Sequence, residues 1–399
     1  MKSIYKYILP LFIAAITGIF AGCSEDDLSN GGQPAISYIR ITNPASSDSI
    51  IASAGLGQMI AIMGENLKGV REVWFNDQRA ALTPTFITNT TIITTVPGKA
   101  PIELTNKLRL VFKGGTELLH DFTINLPAPA VTSLNKEYAR PGELVEIRGN
   151  YFFEPITVTF TGDVTAELVS VDQTIMEIRI PEGAQPGPVT FTTNFGSAVS
   201  SFHYWDKRNI LLNYDDLTAA GSWRPGPIGN EEGLEGKYLR LYGTLNANQR
   251  VEDNYQSQFW GHTRLPEGPL FQGNPEDLVL KFEARVLDWY GSVLQICWGP
   301  WNNNNNAEVW GSLNGKGIWA PWKQADASFN TGGEWITVVI PLTEMKYRQT
   351  QTAGNNVWIP DMEFDPDVAG TLSFWVIAGP EASASPVEIH IDNVRIVTK

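Results

Sequence analysis

Gly142-Glu143-Leu144-Val145-Glu146-Ile147-Arg148-Gly149-Asn150-Tyr151-Phe152 alternates apolar and polar side chains behind a leading glycine. A period of two marks a strand with one face buried and one face wet. The pattern occurs a second time upstream, in Gly57-Gln58-Met59-Ile60-Ala61-Ile62-Met63-Gly64-Glu65-Asn66-Leu67. Once these are superposed, their surroundings fall into register. Val73-Trp74-Phe75 lies on Val158-Thr159-Phe160, and Thr91-Ile92-Ile93-Thr94-Thr95-Val96-Pro97 lies on Thr174-Ile175-Met176-Glu177-Ile178-Arg179-Ile180-Pro181. The copies open on Ala35-Ile36-Ser37-Tyr38-Ile39 and Ala130-Val131-Thr132-Ser133-Leu134. Gly and Pro punctuate the runs about every 8–12 residues, the spacing of a small sandwich. Two units are predicted, over residues 35–126 and 130–204, with Pro127-Ala128-Pro129 as a stiff joint.

These units resemble the IPT/TIG immunoglobulin-like family, whose pattern is an opening strand, a Gly before a strand ending in Gly-x-Asn, and a short strand closed by Val-Pro. Each motif is diffuse, and its recurrence in register is the stronger signal. The resemblance implies two tandem immunoglobulin-like sandwiches. With few aromatics and no cluster of titratable groups, they read as a spacer rather than as a protein-binding surface.

After Trp205 the composition changes. Twelve of the 13 Trp lie between there and Lys399, and Trp74 is the exception. Residues 205–399 are of a size for one larger β-sandwich. Its predicted strands are Gly236–Tyr242, Leu278–Leu287, Ser292–Trp298, Trp335–Pro341, Thr371–Ile377 and Val387–Val397, with the first and last as partners. The fold class is all-β throughout, and Leu342 to Tyr347 has room for one helical turn.

At the other end, Lys2 and Lys6 precede an uncharged apolar stretch from Tyr7 to Phe20, closed by Ala21-Gly22-Cys23. This reads as a secretory signal over residues 1–22, too short to span a bilayer. A Cys directly after small residues resembles the lipobox of bacterial lipoproteins, with Phe20 where Leu is usual. The resemblance implies lipidation, by palmitate among other chains, at Cys23. The acidic run Ser24-Glu25-Asp26-Asp27, within a flexible tether over 23–34, resembles the signal that sends Bacteroidetes lipoproteins to the outer face of the outer membrane.

Composition closes several function classes. The net charge of −14, from 29 basic and 43 acidic residues, argues against nucleic acid, whose binding runs on Lys and Arg contacts to phosphate. Two Cys and four His leave little for a disulfide framework or a multi-His metal centre. His120, His203, His262 and His390 lack a neighbouring Ser or Cys motif, and neither Gly-x-Ser-x-Gly nor a phosphate loop occurs. Cys297 stands in an apolar run and reads as a buried thiol.

The informative chemistry lies in Leu294-Gln295-Ile296-Cys297-Trp298-Gly299-Pro300-Trp301-Asn302, the Asn run to Asn306, Trp310, and Ile318-Trp319-Ala320-Pro321-Trp322. Tryptophan among Gly, Pro and Asn has less reason to be core than tryptophan in a strand. A pyranose has an apolar face of axial C–H groups and a rim of hydroxyls. A rigid indole covers the face at little entropic cost, and Asn, Gln, Asp, Lys and Arg serve the rim. Trp301, Trp319, Trp322, Trp298, Trp260, Trp289 and Tyr290 are therefore candidate glycan-binding residues, with Trp358 as an outlying one. Alternation places Leu294, Ile296 and Trp298 on one face, which leaves Trp298 open to a core role. Trp335 and Trp375 lie in apolar strands and read as core. From Trp205 onward 15 basic and 24 acidic residues give −9, which does no harm with a neutral glycan.

Lipoprotein signal, Pro-jointed immunoglobulin-like units and a terminal Trp-rich sandwich together resemble the surface glycan-binding proteins of Bacteroidetes polysaccharide utilisation loci, nearest to the xyloglucan- and mixed-linkage-glucan-binding type. That resemblance covers the whole chain. It implies a non-catalytic binder of polysaccharide, lipid-anchored on the cell exterior, working beside an outer-membrane glycan importer and a surface glycanase. Asn213-Tyr214-Asp215-Asp216-Leu217 and His390-Ile391-Asp392-Asn393-Val394-Arg395 resemble the edges of jelly-roll carbohydrate-binding modules, and Asp215, Asp216 and Asp392 are weak candidates for a structural calcium. Two other readings compete. One is a glycoside hydrolase on a jelly roll, using two of Glu283, Asp288, Glu308 and Glu334. The other is a surface protein-adhesion or assembly factor with the Trp cluster as its hot spot.

Overall fold

The computed structural model describes residues 32–399, apart from 47, 216–227, 230–232, 253, 257, 260–261, 264–267 and 301–312. The described residues contain strands and short 3-10 turns, with no α-helix and none long and apolar enough to cross a membrane.

The repeated stretches form equivalent strands. Met59–Glu65 pairs on either side with Ala35–Ile41 and Thr91–Thr95, and Leu144–Asn150 pairs with Ala130–Leu134 and Ile175–Arg179. The strand-terminal glycines are set by close approach. A Cβ on Gly64 would lie 2.0 Å from the Ala35 carbonyl oxygen, and one on Gly149 2.2 Å from that of Ala130. Their N–H groups donate to Thr90 and Thr174 carbonyls, each at 2.9 Å. Two residues on, Asn66 (φ 58°) and Tyr151 (φ 63°) adopt left-handed backbone, a conformation Asn accepts readily and Tyr does not. The turn delivers Leu67 and Phe152 into their cores at 0% and 2% exposure.

Opposite each of these sheets lies a second one. In the first repeat its order is Gln78–Arg79, Val70–Phe75, Lys107–Phe112, Glu117–Asp121; in the second it is Val164–Thr165, Ile156–Phe160, Gly187–Thr193, Gly196–Tyr204. Alternation buries every other side chain between the sheets. Ile60, Ile62, Val73, Phe75, Leu108 and Leu110 make one core, and Val145, Ile147, Val158, Phe160, Val189 and Phe191 the other. Each such residue contributes about 1.5–3 kcal/mol by leaving water.

The last sandwich is larger. One sheet runs Tyr238–Leu245, Ser385–Thr398, Leu278–Trp289, Ile336–Pro341, with Ile210–Leu212 also pairing with the long terminal strand. The other runs Tyr255–Gln256, Thr371–Ala378, Ser292–Gly299, Gly317–Trp319. Tyr238–Leu245 and Ser385–Thr398 are antiparallel partners, and a 3-10 turn occupies Leu342–Glu344. Leu239, Leu241, Phe282, Leu294, Ile296, Phe374, Ile389 and Ile391 fill the space between the sheets.

The chain divides into two compact units between Leu126 and Pro127. The second unit holds both the second repeat and the last sandwich, joined through buried charge. The Glu137 carboxylate accepts from Arg395 Nη2 at 2.7 Å and from Lys281 Nζ. Arg395 also donates to Glu283 Oε1 at 2.8 Å, and Thr337 Oγ1 donates to Glu283 Oε2 at 2.7 Å. Backbone bonds complete the join, from Glu137 N to Thr337 Oγ1 at 2.7 Å and from Thr337 N to the Asn135 carbonyl at 2.8 Å. Arg395 is fully buried and caps the Tyr138 ring at 5.2 Å. Burial pushes the Glu283 carboxyl up against the pull of Arg395. The glycosidase candidate Glu283 is thus a buried structural carboxyl, and Glu334 is spent on Lys136 at 3.0 Å.

Candidate functional site

Local sequence sorts the aromatic side chains of the last sandwich into three groups. Trp289 ends a strand, faces the core at 0% exposure, and donates from Nε1 to Ser292 Oγ at 2.9 Å. Trp298 shares the inward face with Leu294 and Ile296, is 1% exposed, and packs edge-on against Phe364 at 5.5 Å. Trp322 follows Pro321 in a 3-10 turn that swings the ring inward to 5% exposure, where Nε1 donates to the Ser292 carbonyl at 2.6 Å. These three expected platform residues are corrected to core. An indole enclosed by the sandwich, with its N–H already given to Ser292 in two of the three cases, has no face for a sugar.

Tyr290 and Trp319 form the second group, and both are half-buried. Tyr290 is thrown out at the turn between Leu278–Trp289 and Ser292–Gly299, where Gly291 (φ 71°) reverses the chain. Its ring rests on Trp322 at 4.9 Å, and its hydroxyl donates to Asp326 Oδ1 at 3.0 Å. That bond pushes the phenol pKa up and holds the proton on it. Trp319 points inward from an edge strand, edge-on to Trp289 at 5.0 Å, Phe282 at 5.5 Å and Phe329 at 6.4 Å. Around this end lie exposed Lys323, Gln324 and Asp326, with Lys323 Nζ 5.6 Å from the Trp322 ring centre and Ser328 donating to Asp288. An aromatic shelf with a mixed rim of hydrogen-bonding groups therefore lies at one end of the sandwich. The contributions of Phe329, Ser328 and Asp326 were not visible in the sequence, because they come from a loop almost 40 positions beyond Tyr290.

Trp260 and Trp301, the third group, lie outside the described residues, as do Trp310, Glu308, Asp216 and Cys23. Gln256 pairs with Ser373 and Gly299 with Thr371, so both neighbours of the Thr371–Ala378 strand leave the sheet at the same end. On that sheet's outer face Trp375 is 8% exposed beneath the Arg250 guanidinium at 5.2 Å, while Trp358, half-buried, donates to Gln295 Oε1 at 2.7 Å. Trp335 is half-buried and edge-on to Tyr238 at 5.7 Å.

Asp392 is buried, accepts from the Asn393 amide at 2.7 Å, and is pushed up to about 8 by burial, which outweighs that bond. Asp215 instead accepts from the Lys237 amide at 2.7 Å. Among the described residues no three His, Cys, Asp or Glu side chains converge on a metal position.

Comparison with known proteins matches the last sandwich to one family model and the chain as a whole to relatives. The model of the surface glycan-binding protein B xyloglucan binding domain matches residues 204–398. An IPT/TIG domain-containing protein of Bacteroides ovatus is 31% identical over 523 aligned positions, covering 100% of both chains. The crystal structure of surface glycan-binding protein PbSGBP-B from Prevotella bryantii superposes with a TM-score of 0.74 at 25% identity, covering 92% of this chain and 99% of that one.

Proposed function

The chain belongs to the IPT/TIG domain-containing surface glycan-binding proteins, and we propose that it captures a β-glucan or hemicellulose, xyloglucan or mixed-linkage glucan, through the last sandwich. It is a binder and not an enzyme. The observation that carries the ligand class is the coincidence of the matched xyloglucan binding domain with the Trp-rich residues 204–398.

The binding surface is built on Tyr290, which the buried Trp322 supports from beneath, with Trp319 at its edge; Trp301 and Trp260 are the further candidate rings. Sugar C–H faces stack on the rings, and Asp326, Lys323 and Gln324 take the hydroxyls. Base–aromatic stacking, at ~1–3 kcal/mol per ring, is the nearest measured analogue. Two or three such contacts support micromolar-range binding of a chain rather than of a monosaccharide. The family places the protein at the cell surface. Lipidation at Cys23 holds it to the outer face of the outer membrane, where an importer and a glycanase share its substrate, and the immunoglobulin-like units serve as spacer.

Affinity electrophoresis tests this reading. Tyr290→Ala and Trp301→Ala abolish most of the retardation in gels holding xyloglucan or mixed-linkage glucan, with an unchanged melting temperature. Trp322→Ala instead lowers stability by ~3–5 kcal/mol, because it empties a buried ring site. Unaltered migration of Tyr290→Ala and Trp301→Ala, or shortening of the polysaccharide by the wild-type protein, would defeat the proposal.

A further inference from the structure

The tryptophan of the first repeat, Trp74, remains unexplained by that function, and the two repeats supply the control for it. In the first repeat, strand register aligns Arg79, Trp74, Arg109 and Leu119 in one row across the outer face of the Val70–Phe75 sheet. In the second repeat the same row reads Thr165, Thr159, Thr190 and Val199. Both sheets fold over equivalent cores, so threonine suffices for the fold and Trp74 is there for something else.

Trp74 is half-exposed and held in place from two sides. Its Nε1 donates to Glu72 Oε2 at 2.8 Å, and the Arg109 guanidinium lies over the ring at 5.1 Å. Beside it is a cleft of about 440 Å³ lined by Trp74, Asn76, Asp77, Glu103, Lys107 and Leu119, among others. That size falls among small-molecule clefts of roughly 300–1,000 Å³. Asn76 is 7% exposed and its carbonyl oxygen is saturated, accepting from Asn106 N at 2.7 Å and from Thr105 N at 3.0 Å. Its Nδ2 donor and the Asp77 Oδ1 acceptor have no partner. A buried donor beside a buried acceptor costs about 1–3 kcal/mol each until matched.

The cations on this face are already paired. Arg79 pairs with Glu72 at 3.2 Å, Arg109 with Glu117 at 2.9 Å, and Lys107 with Asp121. An anionic ligand would have to break these pairs and face Asp77 and Glu103, whereas a neutral one need not. The matching chemistry is a hydroxyl pair, which accepts from Asn76 and donates to Asp77, mounted on an apolar ring face that lies against Trp74 and Leu119. Leu119 is 57% exposed, so the apolar wall is open to solvent.

We propose that the first immunoglobulin-like unit carries a second saccharide site, built on Trp74, Leu119, Asn76 and Asp77, which takes a neutral pyranose of the same polysaccharide. The inference relies on the proposed function for its ligand class and adds a second point of attachment on one chain. Two sites on one protein raise avidity for a long polymer without new contacts to a short one.

The test uses the full chain and isothermal titration with a xyloglucan oligosaccharide. Wild type takes two oligosaccharides per chain. Trp74→Ala takes one and leaves the affinity of the remaining site unchanged, and Tyr290→Ala combined with Trp301→Ala leaves one site that depends on Trp74. Retardation by long-chain xyloglucan weakens about tenfold in Trp74→Ala. Leu119→Glu, at an exposed position that folding does not need, gives the same losses and guards against misfolding. One oligosaccharide per wild-type chain, or two per Trp74→Ala chain, overturns the inference and leaves the proposed function standing. No binding by wild type of either this oligosaccharide or a mixed-linkage glucan oligosaccharide overturns both.

Discussion

Trp74 and Thr159 occupy one position in two copies of a fold, and the copies diverge at every surface while agreeing in the core. Gly64 and Gly149 approach the same neighbouring carbonyl, and Leu67 and Phe152 plug the same end. Outside, the first repeat spreads its ions in solvent-facing pairs around an indole. The second repeat sinks Glu137 against Arg395 and Lys281 and becomes continuous with the last sandwich. Core positions are constrained by volume, whereas surface positions are free to be spent differently in each copy.

The largest expected effect separates buried from exposed ions. Arg395→Met leaves Glu283 without its guanidinium and Glu137 with Lys281 alone, and costs ~3–5 kcal/mol in denaturant unfolding. Arg109→Met, which removes an exposed pair of the first repeat, costs under about 1 kcal/mol. Equal costs would dissolve the distinction.

Next comes pH, for which Asp392 of the second unit and Asp121 of the first have opposite signs. Asp392 has its folded carboxyl near 8 and its unfolded value near 3.8. Between those values the folded state holds a proton that the unfolded chain has released. Its contribution is therefore complete below about 3.8 and is lost as pH rises through 8, with a slope of up to ~1.4 kcal/mol per pH unit. The raised Glu283 adds in the same direction. In the first unit the bond and charge of Lys107 hold the Asp121 carboxyl below its usual range, so its contribution is present above about 3.8 and lost on acidification. The difference in melting temperature between wild type and Asp392→Asn therefore moves against the wild type as pH rises from 4 to 8. A melting profile that Asp392→Asn leaves unchanged contradicts the assignment.

The smallest effect is Trp74→Thr, which imports the residue of the second repeat. Stability moves by no more than about 1 kcal/mol, because the threonine row already supports this fold once. A loss of several kcal/mol in a chemical melt would make Trp74 a structural residue.

Much of the architecture was legible because its determinants are local. Alternation in Leu144–Arg148 and the glycine before it specify a strand without reference to the rest of the chain, and the repeat doubles the signal. Alternation also placed Trp298 beside Leu294 and Ile296, which is where the structure has it. The site was less legible. Gly, Pro and Asn around Trp322 signal a turn, but a turn residue can still point inward, and the acceptor that draws it in, the Ser292 carbonyl, is 30 positions away. Likewise, Glu137 and Arg395 meet across 258 positions, and nothing near either one announces the other.

Such an ion cluster has a bearing on inheritance. A recombination event that replaced residues beyond Tyr204 with a foreign module would leave Glu137 facing a surface with no guanidinium to receive it. The second repeat and the last sandwich should therefore be exchanged between genomes as a single cassette, with substitutions at positions 137, 283 and 395 arriving together or not at all.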